Sequence, residues 1–300
     1  MSEPAQDRWS RWLLERRFGG DADRQEQFMQ ALYPVRDRVL ENAELSAGET
    51  VLDVGAGDGL IAFGALERVG ESGRVVFSDV SRDLLDHSRA LAREMGVLGR
   101  CEFVEAPARD LSALGDRSVS VVTTRSVLIY EEEKASAFGE FFRVLRPGGR
   151  LSLFEPINRF NLHERPKRFL GYDISSVADL ARKVWAVYER RQPPETDPMF
   201  DFDERDLLEF ASAAGFDDLR LDYRASISDA PALSGRLPEW ETLLKSSGNP
   251  NIPTLEEALD EALSPSEKER FVAHLRPRVE AGDRRGREAV AYLTARKGPA

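Results

Sequence analysis

The chain is 300 residues long and contains one cysteine and three histidines. A single thiol, Cys101, excludes an internal disulfide framework, and its place in an apolar run predicts a small buried hydrophobe. His87 and His274 fall on separate predicted helices without ligand spacing, so no metal site is expected. No apolar run approaches membrane length, and the opening Met1-Ser2-Glu3-Pro4 lacks a charged-then-apolar leader pattern. A cytoplasmic protein without a membrane partner is expected. Basic residues are short against acidic ones, 42 to 53, for a net charge of -11. That balance would repel nucleic-acid phosphates, so no nucleic-acid partner is expected. The one arginine-rich patch, at Arg276, Arg278, Arg284, Arg285 and Arg287, is interspersed with Glu280, Asp283 and Glu288 and reads as a solvated face. There is no internal repeat and no low-complexity segment. The length admits one large domain, or a core with caps, without staples.

What the chain does have is the run Val51-Leu52-Asp53-Val54-Gly55-Ala56-Gly57-Asp58-Gly59. An apolar strand ends in an acid and enters a three-glycine turn before a second apolar stretch. Residues without a Cβ let the chain turn sharply and let a ligand approach the backbone. A dinucleotide fingerprint would need a further glycine where Leu60 stands. A phosphate loop would need Lys followed by Ser or Thr, and Leu60-Ile61-Ala62-Phe63 supplies neither. The turn therefore reads as a nucleoside site that cradles no phosphate.

About twenty residues on, Gly73 to Ser81 reads as a second strand ending in Asp79, at the distance a ribose-binding carboxylate requires. A third strand runs from Cys101 into Ala106-Pro107-Ala108-Arg109-Asp110. A fourth, Ser118 to Thr124, leads into Arg125-Ser126-Val127-Leu128-Ile129-Tyr130. Phe138, Phe141, Phe142 and Leu145 then follow the spacing of a buried helix face. Arg146-Pro147-Gly148-Gly149-Arg150 stops that helix and begins a fifth strand, Leu151 to Glu155.

In this order, over about residues 50 to 156, these elements resemble the class I S-adenosylmethionine-dependent methyltransferases. Asp53, Gly55, Gly57 and Gly59 match the family's first motif, and the "LRPGG" junction recurs throughout it. The resemblance implies a Rossmann-like, doubly wound α/β fold with a seven-stranded sheet whose seventh strand is antiparallel. It implies S-adenosylmethionine as cofactor, with contacts at Asp53, Gly55, Ala56, Gly57, Gly59, Asp79, Val80, Ala108, Arg109, Thr124 and Arg125. Pro107 departs from the pattern, because many members carry an acid immediately before the alanine to accept from the adenine amino group. Asp110 or a backbone group is the substitute considered.

The organisation expected is a helical cap over 1–49, the cofactor-binding core over 50–156 and an insertion or lid over 157–201. A core helix and sixth strand over 202–223 follow, then a second helical insertion over 224–285, and a seventh strand with a tail over 286–300. The capping helices are Asp7 to Phe18 and Arg24 to Leu40, whose aromatics read mainly as packing. The 157–201 insertion leaves the carboxyl edge of the sheet, where ligands bind, and so is a candidate lid; the alternative is a packing extension or a homodimer contact. Asp203 is an expected N-cap, and Thr254 with Glu257 and Ser264 with Glu267 are expected capping boxes.

Methyl transfer from a sulfonium needs alignment and exclusion of water more than side-chain chemistry. A small-molecule acceptor is the expected partner. Where the acceptor carries a proton, a base would help, and the candidates are Glu155, His163 and, as an acceptor-binding or catalytic hydroxyl, Tyr130. Two other readings stand beside this one. A nicotinamide oxidoreductase is disfavoured by Leu60 and by the lack of a hydride-relay motif, and a non-catalytic S-adenosylmethionine-binding protein would need no acceptor site.

Overall fold

The computed structural model describes residues 6–164, 167–229 and 239–299, apart from the side chains of residues 163 and 164. Helix α1 (Arg8–Arg11) runs into a wider π turn (Trp12–Arg16) and is followed by α2 (Ala22–Asn42). The core then alternates β1 (Thr50–Val54), α3 (Leu60–Val69), β2 (Arg74–Asp79), α4 (Arg82–Glu94), β3 (Cys101–Glu105), β4 (Val119–Arg125), α5 (Lys134–Val144) and β5 (Leu145–Pro156). A small hairpin, β6 (Arg168–Phe169) with β7 (Tyr172–Asp173), precedes α6 (Ala178–Arg191). Next come α7 (Glu204–Ala214), β8 (Phe216–Ser228), α8 (Trp240–Lys245), α9 (Leu255–Ala262), α10 (Pro265–Ala281) and β9 (Gly286–Lys297).

The caps read from the sequence form as expected. Asp203 caps α7 and Gly215 closes it in the left-handed conformation, while Thr254 with Glu257 and Ser264 with Glu267 form boxes at the starts of α9 and α10. Each box satisfies N–H groups that a helix start leaves without partners.

The seven strands lie in the order β3-β2-β1-β4-β5-β9-β8. The first five are mutually parallel, and β9 runs antiparallel between β5 and β8. Strand side chains alternate between two faces. Val51, Val75, Val121 and Phe154 face one layer with α2 and α3, and Leu52, Val76, Val122 and Leu153 face the other with α5 and α7. This is the doubly wound sheet the sequence implied. The last two strands are longer than the 219–223 and 289–295 stretches that their apolar residues outline. In β8 the charged Asp217, Arg220, Asp222 and Arg224 interrupt any apolar signal, and backbone pairing with β9 carries the strand through them.

The two insertions expected to be separate share one apolar core. Leu180, Ala181, Val184 and Val187 form the buried stripe of α6, and they pack with Leu255, Leu259, Phe271 and Leu275 of α9 and α10. Phe169 meets Phe271 edge to face at 5.6 Å. The hairpin turn is pinned from the far side, with Arg285 N–H donating to the Gly171 carbonyl at 3.0 Å and Arg284 Nε to the Leu170 carbonyl at 3.0 Å. An amphipathic helix must bury its stripe somewhere, and α6 does so against the second insertion.

The N-terminal segment joins this cap to the core. Trp12 Nε1 donates to the Ser247 carbonyl at 3.0 Å, and Ser247 N–H donates to the Arg16 carbonyl at 3.1 Å. On the core side, Ser81 Oγ donates to Asp7 at 2.6 Å and Asp7 N–H to Asp83 at 2.7 Å.

Candidate active site

After β1 the chain crosses to β2 on one side, and after β4 it crosses to β5 on the other. The crevice outside the carboxyl ends of β1 and β4 is therefore the topological switch point, where ligands of open α/β sheets bind. A cavity of about 490 Å³ lies there, within the range of roughly 300–1,000 Å³ usual for small-molecule sites. Its floor is Val54, Gly55 and Gly57, one side Asp79, Val80 and Ala106 to Arg109, and the other Arg125, Ser126, Val127 and Tyr130. Arg8, Trp9, Trp12, Leu13 and Arg17 roof it.

The glycine turn is forced from two directions. Gly55 has φ +66°, and a Cβ there would stand 2.2 Å from a Val127 methyl, so the loop after β4 packs directly onto the bare backbone. Gly57, at φ +55°, faces a different neighbour: its Cβ would meet only Leu13 of the roof, at 3.4 Å. Gly57 thus keeps open a strip of backbone that a ligand can approach.

Asp79 ends β2 beside that strip. One carboxylate oxygen accepts from Gly57 N–H at 2.8 Å and the other from Ser81 N–H at 2.8 Å. Burial pushes its pKa up, against these two hydrogen bonds. Each oxygen retains lone-pair capacity for a hydroxyl donor. Next to it Val80 presents an apolar side chain, 46% exposed, and with Leu84, Ala106, Pro107 and Ala108 it makes an apolar slot. Asp110, the substitute acceptor considered for adenine, is off the wall, its carboxylate accepting from Ser112 N–H at 3.1 Å. Arg109 is on the wall and pairs with Glu131 at 2.9 Å.

The opposite wall depends on a strained turn. Ser126 is a non-glycine residue at φ +57°, and its N–H donates to the Phe154 carbonyl at 2.9 Å. Glu155, fully buried on β5, accepts from the N–H groups of Val127 and Leu128 at 2.9 Å each and of Ile129 at 3.3 Å. Burial pushes its pKa up to about 7, with those bonds opposing. Glu155 is absent from the cavity wall, so the geometry gives it the role of holding the turn in place of the base expected from its position. Tyr130 does reach the cavity, edge to face with Trp9 at 4.8 Å. Burial pushes its hydroxyl to about 12, keeping it a neutral donor. Arg17 lies over the rings of Trp12 at 4.9 Å and Phe28 at 4.4 Å, and burial, with Arg125 nearby, pulls it down to about 10.

Asp53, Ala56, Gly59 and Thr124 lie behind the wall. Asp53 is 2% exposed and accepts from Thr123 Oγ1 at 2.8 Å; burial pushes it to about 7. Ala56 N–H ties the turn to the Ser78 carbonyl at 2.9 Å. Gly59 is the left-handed N-cap of α3, and Thr124 is buried in β4. His163 falls in the turn Asn158–Glu164, and its side chain lies outside the described residues. Leu13 lies on the helix expected to cap the cofactor cleft, whereas three wall residues, Arg17, Met199 and Gly248, had no signal of their own in the sequence. Lys134, buried at the start of α5, brings Met199 there by pairing with Asp201 at 2.6 Å and donating to the Pro198 carbonyl at 3.1 Å. Trp9 and Trp12, expected mainly to pack, also face the cavity.

Among the described residues no group of three His, Cys, Asp or Glu side chains could hold a metal ion, and no helix is long and apolar enough to cross a membrane.

Residues 51–149 match the family model of a methyltransferase domain. The ubiquinone/menaquinone biosynthesis C-methyltransferase UbiE of Cronobacter sakazakii is 32% identical over 150 residues, 46% of this chain and 59% of the relative. The chain thus spans less than two thirds of the length of the curated relatives it matches. Among solved structures, phosphoethanolamine N-methyltransferase 2 of Haemonchus contortus, in complex with S-adenosyl-L-methionine, aligns with a TM-score of 0.51 at 15% identity, over 91% of this chain and 56% of that one. The [4+2]-cyclase SpnF aligns with a TM-score of 0.51 at 24% identity, over 90% and 83% of the two chains. These two likenesses show a shared fold, carried by proteins of different reaction types. Residues 51–149 match a methyltransferase domain, and the seven-stranded sheet built on them has the Rossmann-like methyltransferase fold.

Proposed function

We propose that this protein methylates a small-molecule acceptor held in the cavity beneath its helical cap, using S-adenosylmethionine. The observation that carries the reading is that the open Gly57 backbone, the Asp79 carboxylate and the apolar slot of Val80, Pro107 and Ala108 line one cavity. Their chemistry fits the cofactor: a carboxylate for the ribose hydroxyls, an apolar slot for adenine and exposed backbone between them. Arg125 and Arg17, on the far wall, suit the carboxylate of the amino-acid part. When bound, S-adenosylmethionine supplies a methyl group that leaves its sulfonium by in-line displacement, the acceptor losing a proton where it carries one.

The chain's own contribution is alignment and exclusion of water. Trp9, Trp12 and Leu13 cover the cavity, and the bond from Trp12 to Ser247 holds that cover against the cap. Tyr130 is a neutral donor able to orient an acceptor oxygen. Of the three sequence candidates for a base, Glu155 is occupied by backbone and Tyr130 is neutral. His163 remains the proposed base, because its turn leaves β5 directly after the wall residues Pro156 and Asn158.

Calorimetric titration tests the reading, with S-adenosylmethionine and S-adenosylhomocysteine as ligands and NADH and NADPH as controls. Saturable binding of the two sulfur nucleosides, weakened by Asp79→Ala, is expected. Binding of NADH or NADPH in their place would move the protein to the oxidoreductases. Cofactor turnover should appear once an acceptor is supplied; cofactor binding without turnover on any acceptor would favour the non-catalytic reading.

A further inference from the structure

A second cavity, of about 370 Å³, lies inside the cap and meets the first at Arg17 and Gly248, which line both. Its walls are aromatic and aliphatic, with Tyr188, Phe200 and Leu243 among them. Three guanidinium groups, Arg17, Arg24 and Arg284, also line it. None of the three forms an ion pair with a carboxylate among the described residues. Arg24 donates to Ser246 Oγ at 3.3 Å and Arg284 to the Leu170 carbonyl at 3.0 Å. Glu189 is the one acidic wall residue, and it has an interaction of its own. Burial lowers the pKa of all three arginines, as desolvation of a cation requires.

A further wall residue is Tyr172, 1% exposed. Its hydroxyl has no hydrogen-bond partner among the described residues, and both Arg24 and Arg284 act on it electrostatically. A buried hydroxyl without a partner costs free energy; Asp21 and Glu288 act on Arg24 and Arg284 only through space, and cations with no carboxylate in ion-pair contact favour an anion between them. The cationic cluster is assembled from three parts of the chain: Arg17 and Arg24 from the N-terminal segment, Tyr172 from the β6–β7 hairpin and Arg284 from the link between α10 and β9. Arg284 belongs to the patch that the sequence presents as a solvated face. In the fold it is half-buried and lines the cavity.

We infer that this inner cavity is an acceptor subsite for an oxyanion, a carboxylate or a phosphate ester, carried on an apolar body whose other end reaches the methyl-transfer cavity. This rests on the methyltransferase reading for what lies at that other end, whereas the oxyanion site stands on the cap alone. The aromatic walls would hold the apolar body, and Arg24, Arg284 and the Tyr172 hydroxyl its charged end. Arg17, at the junction, would face both ligands.

The test is calorimetric titration of the full chain, with and without saturating S-adenosylhomocysteine. The probes are 3-phenylpropionate, phenyl phosphate and the uncharged 3-phenylpropionamide. At least one anion should bind ten-fold or more tightly than the amide, and the tighter of the two identifies the oxyanion class. Arg24→Met and Arg284→Met should each weaken that anion ten-fold or more while leaving S-adenosylhomocysteine affinity unchanged. Tyr172→Phe, which removes one oxygen and keeps the ring, should weaken it about three-fold even if an arginine variant fails to fold. Equal binding of amide and anions, or anion binding indifferent to Tyr172→Phe and to whichever arginine variants fold, would overturn the subsite. Failure of S-adenosylhomocysteine to bind while the anions still bind as expected would overturn the methyltransferase reading and leave the oxyanion site standing.

Discussion

Asp79 accepts the Gly57 N–H at 2.8 Å, so the acid proposed to meet a ribose also braces the glycine turn. Sheet and glycine loop are joined by that bond, and the second oxygen fixes the start of α4 through Ser81. Local order, and in the proposed function cofactor binding as well, therefore depend on one carboxylate.

Replacing Asp79 by alanine should weaken S-adenosylhomocysteine binding by ~1 to 3 kcal/mol, as when a charged hydrogen-bond partner is lost. The melting temperature of the unliganded protein should fall as well, because two N–H groups lose their acceptor. Calorimetry and thermal unfolding on the same sample check both halves. Unchanged affinity would remove Asp79 from the cofactor site.

Glu155 gives a contrast between holding and reacting. Its two oxygens take three N–H groups of the turn that carries Tyr130. Glu155→Ala should cost on the order of 3 kcal/mol or more, since each buried N–H left without an acceptor costs about 1–3 kcal/mol. Glu155→Gln keeps one acceptor oxygen and turns an amide N–H₂ toward a donor, so its melting temperature should also drop. A variant with unchanged stability and an abolished kcat would instead mark Glu155 as the base.

The proposed cofactor half of the cavity was legible in the sequence, because its residues are local. Gly55, Gly57, Asp79 and Val80 sit at strand ends whose apolar runs and glycines are visible without any tertiary contact. The proposed acceptor half was not. Arg17, Met199 and Gly248 reach the cavity through a π turn, the pairing of buried Lys134 with exposed Asp201 and a backbone bond between Ser247 and Arg16, none of which leaves a periodicity. Asp53 and Thr124, which the resemblance names as cofactor contacts, are buried in β1 and β4. Alternation along a strand decides that, and a one-dimensional motif does not say which face carries the ligand.

The two glycines of the turn should fail differently when given a methyl group. Gly55→Ala drives a Cβ to 2.2 Å from a Val127 methyl and should lower stability by ~2 kcal/mol or more, through combined backbone strain and overpacking. Gly57→Ala meets only Leu13 at 3.4 Å, so its stability loss should stay near the ~1 to 2 kcal/mol of the left-handed backbone. Its loss of S-adenosylhomocysteine affinity should be ten-fold or greater. Denaturant unfolding beside calorimetry separates the two, and equal losses in both variants would contradict the cavity wall as drawn.

Asp53 makes the sign of a pH effect testable. Its carboxyl titrates near 3.8 when exposed and at about 7 in the fold, raised by burial against the Thr123 bond. Below the unfolded value both states hold the proton, and the neutral acid has its full contribution to stability. As pH rises from there through about 7, the unfolded chain releases its proton first, so that contribution is progressively lost. Asp53→Asn keeps an acceptor for the Thr123 hydroxyl and has no charge to bury. Measured by denaturant unfolding at pH 5, 6.5 and 8 without ligand, the stability of the variant relative to the native chain should climb with pH. The total should be on the order of 2 kcal/mol, because a tenfold difference in proton affinity between folded and unfolded chain is worth about 1.4 kcal/mol. A variant that loses ground as pH rises would mean that the carboxylate is stabilised in its charged form by the fold.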